Sequence, residues 1–179
     1  MGFYSSIARP ALFCLPPEKS QLLAELLLQQ TTISRLFPNF FSFEDDILQT
    51  NLAGLKLKNP IGLAAGFDKN IKFLPSMEHL GFGYVTGGTI TKEPRPGNPS
   101  PRLLRIKSDK SLINSMGFPG EGLESAAKRL ENLPRNPETI RVVSISGTTT
   151  KDIVACQTTI QKFCSALEIN ISSPNTAGL

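Results

Sequence analysis

Apolar positions along the chain follow two regimes. In the first 45 residues they recur at helical spacing: Leu22, Leu23, Leu26 and Leu27 form one stripe, with Leu28 beside them. Pro16-Pro17 opens that helix, over 18–30, because proline is tolerated in a helix's first turn. Before it stand Phe3, Tyr4, Ile7, Leu12, Phe13 and Leu15 with Arg9, and no acid precedes Glu18. After it comes a second apolar patch of Ile33, Leu36, Phe37, Phe40, Phe41 and Phe43. Two readings fit this leader: a helical pair lying in a bilayer interface, or a helical hairpin packed on the core of the main domain.

From residue 52 the rhythm changes. Strand-like segments around 52–57 lead to 59–66, a short apolar run closing on glycine, as a buried strand does before a tight turn. The spacing predicts a helix over 70–80, with Ile71, Leu74, Met77 and Leu80 on one face, and then a β-branched, glycine-spaced strand over 83–91. Segment 93–101 holds four prolines, so it is neither helix nor central strand but an ordered loop. A short strand over 103–106, a helix over 120–133, a strand over 139–146, a helix over 152–163 and a strand over 166–172 complete the series. Such alternation predicts a parallel α/β sheet.

A doubly wound sheet and a (β/α)8 barrel both begin this way. The glycine fingerprint GxGxxG is absent after the first buried strand, where the chain reads Ala64-Ala65-Gly66-Phe67-Asp68-Lys69. Polar residues gather just after the strands instead: Lys69, Thr89, then Asn170 with Ser173 and Asn175. Barrel enzymes place their chemistry at the C-terminal strand ends, so this distribution favours the first half of a TIM-type barrel. A whole barrel takes about 250 residues, and this chain has 179.

Composition narrows the chemistry. With 40% hydrophobic and 19% charged residues, the chain can bury one sizeable core with a small appendage. One histidine, His79, excludes multi-histidine metal sites, and we expect no metal; on its own, His79 reads as a helix-surface residue without a role. The three cysteines, Cys14, Cys156 and Cys164, have no CxxC spacing, which excludes a zinc knuckle. The net charge of +4 is scattered along the chain, so nucleic acid is not an expected partner. No apolar run reaches the roughly 18 residues of a spanning helix, and the start lacks the pattern of a secretory signal.

Five segments carry a resemblance. They are Asn59-Pro-Ile-Gly-Leu-Ala-Ala-Gly-Phe-Asp-Lys69, Gly81-Phe-Gly-Tyr-Val-Thr-Gly-Gly-Thr-Ile-Thr91, Pro94-Arg-Pro-Gly-Asn-Pro-Ser-Pro-Arg102, Ile113-Asn-Ser-Met-Gly-Phe118 and Ile169-Asn-Ile-Ser-Ser-Pro-Asn-Thr-Ala-Gly-Leu179. Together and in this order they resemble dihydroorotate dehydrogenase. The leader, with Arg9-Pro-Ala-Leu-Phe-Cys-Leu-Pro-Pro-Glu18, resembles the helical extension of the quinone-linked, membrane-associated class 2 enzymes, which favours the bilayer reading.

The resemblance implies a helical membrane-side extension over 1–45 and the N-terminal half of an FMN-binding barrel over 46–179. It implies oxidation of dihydroorotate to orotate in de novo pyrimidine (UMP) biosynthesis, with a membrane quinone as acceptor. In that chemistry a base removes the C5 proton and a hydride passes from C6 to flavin N5. Ser173 matches the base, which is cysteine in class 1; the upstream Cys156 and Cys164 read as buried thiols. Lys69, Asn114, Ser115, Met116, Gly117, Phe118, Asn170 and Asn175 match substrate-binding positions. Ala65, Gly66, Phe67, Asp68, Lys69, Thr89 and Asn170 match flavin-binding ones. Amides suit the pyrimidine's imide because each offers a donor and an acceptor.

The chain departs from the family pattern in two places. The strands that hold the flavin phosphate in the family come late in the barrel, beyond this chain. In Val143-Ser-Ile-Ser-Gly-Thr-Thr-Thr-Lys151 the asparagine usual on this strand is missing, and Ser144 or Ser146 is the candidate to replace it. The alternative to the enzyme is therefore a truncated, inactive fragment or membrane-associating remnant. A half barrel would expose strand edges and so pair with a complementary chain or with itself. The expected location is peripheral, on the inner face of a bacterial plasma membrane rather than the mitochondrial inner membrane, because the leader lacks the arginine and serine richness of a transit peptide.

Overall fold

The computed structural model describes residues 4–37, 42–135, 137 and 139–172. The chain opens with a π-helical turn, Tyr4–Ala8, that runs into α1 (Arg9–Phe13), followed by α2 (Pro17–Leu28) and the short α3 (Thr31–Ser34). Pro17 occupies the first turn of α2, as the Pro-Pro pair predicts. The helix turns its polar side inward: Ser20 is buried and Gln21 and Glu25 are half-buried. Its leucine stripe faces out, with Leu22 at 56%, Leu26 at 54% and Leu27 at 61% exposure. The stripe is thus not what packs α2 against the domain.

After a 3-10 turn (Asp46–Leu48) and an antiparallel hairpin of β1 (Thr50–Leu52) and β2 (Leu55–Leu57), the main layer begins. It is a four-stranded parallel sheet in the order β3-β4-β7-β8, formed by Gly62–Leu63, Tyr84–Ile90, Ile140–Ile145 and Ala166–Ile169. The crossovers are α4 (Leu74–Glu78), α5 (Gly122–Glu131) and α6 (Thr150–Ile160), the last followed by a 3-10 turn, Gln161–Phe163. This is an α/β unit with the topology of part of a barrel.

On one face of the sheet Val85, Val143 and Ile145 pack against Leu74 and Met77 of α4, Ala126 and Leu130 of α5, and Cys156 and Ile160 of α6. The pairs 126/130 and 156/160 are one helical turn apart, which puts each on a single stripe. Arg141 shares that face at the start of β7 and is 1% exposed. Its Nε and Nη2 reach Glu78 Oε1 at 2.9 and 2.8 Å, and Nη1 donates to Pro134 O at 3.1 Å.

Two elements and one residue depart from the sequence pattern. The helix expected over 70–80 shrinks to Leu74–Glu78, because Pro75 belongs in a first turn and Ile71 takes φ +57. Asp68 organises the turn before it, Oδ1 accepting from Lys72 N and Oδ2 from Phe73 N, each at 2.9 Å. The stretch 111–114 is a strand, β6 (Ser111–Asn114), which pairs antiparallel with β5 (Leu103–Ile106). This hairpin stands off the sheet between β4 and α5, and its exposed Leu104, Leu112 and Ile113 gave no alternating signal. His79 is half-buried, its Nδ1 3.1 Å from Ser34 Oγ, so it joins α3 to the main layer rather than standing on a free surface.

Candidate functional site

The C-terminal ends of the four parallel strands gather on one side, and backbone pairing continues past them. Gly66 N donates to Gly88 O at 2.8 Å, Ser146 N to Ile90 O at 2.9 Å and Asn170 N to Ile145 O at 2.9 Å. Above them lies a cavity of ≈ 380 Å³ lined by Ala65, Gly66, Lys69, Thr89, Asn114, Met116, Phe118 and Asn170 among others. These eight residues, spread over more than a hundred positions of sequence, are brought together.

The floor is a chain of polar groups. Asn170 Nδ2 donates to Thr89 Oγ1 at 3.0 Å, and Thr89 Oγ1 lies 2.9 Å from Ser144 Oγ. Ser146 Oγ donates to Asn170 O at 2.8 Å. Both serines are fully buried, so they brace Thr89 and Asn170 from beneath rather than line the cleft. Gly66 has φ +101, a value that side chains disfavour, and nothing lies within 4 Å of where its Cβ would be. A flat ligand can therefore approach this backbone.

Lys69 is half-buried at the rim. Burial pushes its ammonium below its ordinary pKa, while the carboxylates of Glu25, Asp68 and Glu18 pull the other way. Among the described residues it has neither an ion pair nor a hydrogen-bond partner. A partly desolvated cation in a cleft, with no carboxylate in direct contact, is a typical mark of a functional site, here one suited to an anion. Asp68 is buried beneath it, and burial raises its carboxyl above the ordinary value against the pull of the backbone amides it accepts from.

The other residues singled out from sequence stand around the cavity. Phe67 is edge-on to Phe73 at 5.7 Å, and its carbonyl accepts from Gln21 Nε2 at 3.4 Å. Ser115 O accepts from Asn98 Nδ2 at 2.8 Å. Gly117 has φ +71, and a Cβ there would meet Asn98 Oδ1 at 2.7 Å. Ser173 and Asn175 lie outside the described residues. Conversely, Gln21, Leu103, Leu112 and Pro119 also line the cavity without having been picked out. Gln21 sits on the polar side of α2, a signal visible once the leucine stripe is set aside; Leu103 and Leu112 reach the cavity through the pairing of the expected strand 103–106 with the unforeseen strand 111–114.

Residues 47–179 match a family described as "Dihydroorotate dehydrogenase". The chain is 40% identical over 186 residues to the "Dihydroorotate dehydrogenase (quinone)" of Bartonella henselae, covering 100% of this chain and 49% of that protein. It is 36% identical to the protein of that name from Acidithiobacillus ferrooxidans, covering 97% of this chain and 50% of the other. A crystal structure of DHODH in complex with ferulenol from Eimeria tenella superposes with a TM-score of 0.82 at 33% identity, covering 94% of this chain and 48% of that one. The chain spans about half the length of the curated relatives it matches.

Proposed function

The chain belongs to the dihydroorotate dehydrogenase family, and from that premise we propose that its cleft is the flavin- and pyrimidine-binding part of a quinone-linked dihydroorotate dehydrogenase. The observation that carries the reading is Lys69, desolvated and unpartnered beside the open backbone of Gly66, with the amides of Asn114 and Asn170 in the same cavity. FMN fits these residues: Ala65, Gly66, Thr89 and Asn170 hold the ring, and Phe67 and Asp68 shape the turn beneath it. When bound, FMN supplies the hydride acceptor.

The chain's own residues do the rest. Lys69 offsets negative charge on the pyrimidine carboxylate and near the ring. Asn114, Asn170 and Asn175 orient the pyrimidine through its amide groups, with Ser115 to Phe118 closing over it. Ser173 removes the carbon-bound proton and passes it on, since a hydroxyl is a weak base alone. The electron acceptor is a membrane quinone. Support comes from the leader, residues 1–45, whose helix α2 carries Gln21 into the cavity wall and turns its leucines outward. We place the protein peripherally on a membrane, the inner face of a bacterial plasma membrane, in keeping with its bacterial relatives. Residues 46–179 form the catalytic half-barrel, and de novo pyrimidine synthesis is its pathway.

The test is a titration of the purified chain with FMN, followed by removal of free ligand. Retained flavin in the wild type, with orotate perturbing its spectrum and Lys69→Ala losing most of that perturbation, is the expected result. A colourless protein would overturn the reading and leave the alternative, a non-catalytic fragment.

A further inference from the structure

Several polar contacts join the leader to the barrel, among them Arg105 Nη1 to Leu15 O at 2.7 Å and Arg105 Nη2 to Ser20 Oγ at 3.0 Å, and one of them leads toward the cleft. Glu18 of α2 accepts from Arg102 Nε at 2.7 Å through Oε1 and from Ser100 Oγ at 3.2 Å through Oε2. Arg102 does not stop there. Its Nη1 donates to Pro96 O at 2.9 Å and to Asn98 O at 3.2 Å, so one guanidinium ties the leader to the proline-rich loop. That loop in turn fixes the segment that carries the cleft residues. Asn98 N donates to Met116 O at 2.9 Å, Asn98 Nδ2 to Ser115 O at 2.8 Å, and Ser115 N to Arg102 O at 2.9 Å. Gly117 lies so close to Asn98 that no side chain fits between them.

We propose that Glu18 is a positioning residue for the 114–118 segment, acting through Arg102 and Asn98, so that the seating of the leader helix sets the shape of the pyrimidine side of the cleft. The consequence for substrate rests on the function proposed above; the mechanical relay does not. A planar guanidinium suits this role because it reaches a carboxylate and two carbonyls at once, which a lysine ammonium in its place cannot do with the same geometry. Glu18 is held below its ordinary pKa chiefly by the Arg102 hydrogen bond, so the junction is intact at neutral pH. The relay ends at Met116, which lines the cavity, and begins on a helix whose far side is apolar and exposed.

The test has two readouts on the full chain. The first needs no ligand: hydrogen exchange at the Ser115 and Asn98 amides in Glu18→Ala, with Glu18→Gln as the conservative variant that keeps an acceptor. Coupling of this kind predicts roughly 2- to 30-fold faster exchange in Glu18→Ala, substantial recovery in Glu18→Gln, and no change at the Ser146 and Asn170 amides of the sheet. Unchanged exchange at Ser115 and Asn98, or equal acceleration at Ser146, would overturn the relay. The second readout is binding to the FMN-loaded chain. Glu18→Ala is expected to weaken orotate by the same factor while leaving FMN affinity as it was, and Glu18→Ala/Arg102→Lys is expected to be no weaker than Arg102→Lys alone. Equal losses for orotate and FMN, or additive losses in the double variant, would contradict it. A wild type that takes up no FMN would defeat the function proposed above, and the exchange result alone would then decide the relay.

Discussion

Gly66 and Lys69 place opposite demands on one turn: the first must leave space, the second must fill it with charge. Gly66 has φ +101 over open space, so Gly66→Ala is expected to cost about 1–3 kcal/mol in strain. Its methyl would also project toward the cavity, so flavin retention should fall further than chemical denaturation alone explains; retention equal to wild type at unchanged stability would argue against a ring at this backbone. The cysteines make a second prediction at this scale. Burial pushes the thiols of Cys156 and Cys164 up to about 11, whereas Cys14 is exposed. Near pH 8 a thiol reagent should modify Cys14 alone in the native chain and all three after unfolding. Labelling of Cys156 under native conditions would contradict the packing of α6.

Elements were legible where burial imposes a period and obscure where local chemistry overrides it. The strands β4 and β7 announce themselves by β-branched residues with few polar interruptions, and α5 by Leu123, Ala126 and Leu130 on one face. By contrast, Ile71, Leu74, Met77 and Leu80 have helical spacing, yet only the later part is helix; Pro75 and the Asp68 turn decide the boundary. Of the hairpin, β5 was foreseen, but β6 escaped because all four of its residues are exposed, where no face is forced to be apolar. Arg141 was equally silent, since nothing in a strand sequence says that a charge will be buried. Its pair with Glu78 has both side chains largely out of water, at 1% and 11% exposure. Arg141→Ala should therefore cost about 3–5 kcal/mol by removing one half of a largely buried ion pair, read as a lowered urea midpoint. A shift below about 1 kcal/mol would show that water reaches the pair, as at an exposed bridge.

For the whole molecule, the class of fold followed from the alternation of elements, while Lys69, Thr89 and Asn170 of the cleft followed from polar residues placed just past strand ends and Ala65, Gly66, Asn114, Met116 and Phe118 from the family resemblance. The exceptions, Leu103, Leu112, Pro119 and Gln21, come from the hairpin, the segment after it and the leader, parts whose docking no periodicity encodes. No helix among the described residues is long and apolar enough to cross a membrane; the peripheral mode proposed above rests on the exposed leucine stripe of α2. The chain should float with lipid vesicles, and Leu22→Glu/Leu26→Glu should release it without altering the cleft; flotation unchanged in that variant would place the membrane contact elsewhere. The central claim, a flavin- and pyrimidine-binding cleft at the ends of these strands, is tested most directly by adding dihydroorotate anaerobically to the FMN-loaded chain and following the flavin absorbance. Bleaching in the wild type, abolished or greatly slowed in Ser173→Ala and Lys69→Ala, is the result predicted here. Bound flavin that stays oxidised in the presence of excess dihydroorotate would contradict it.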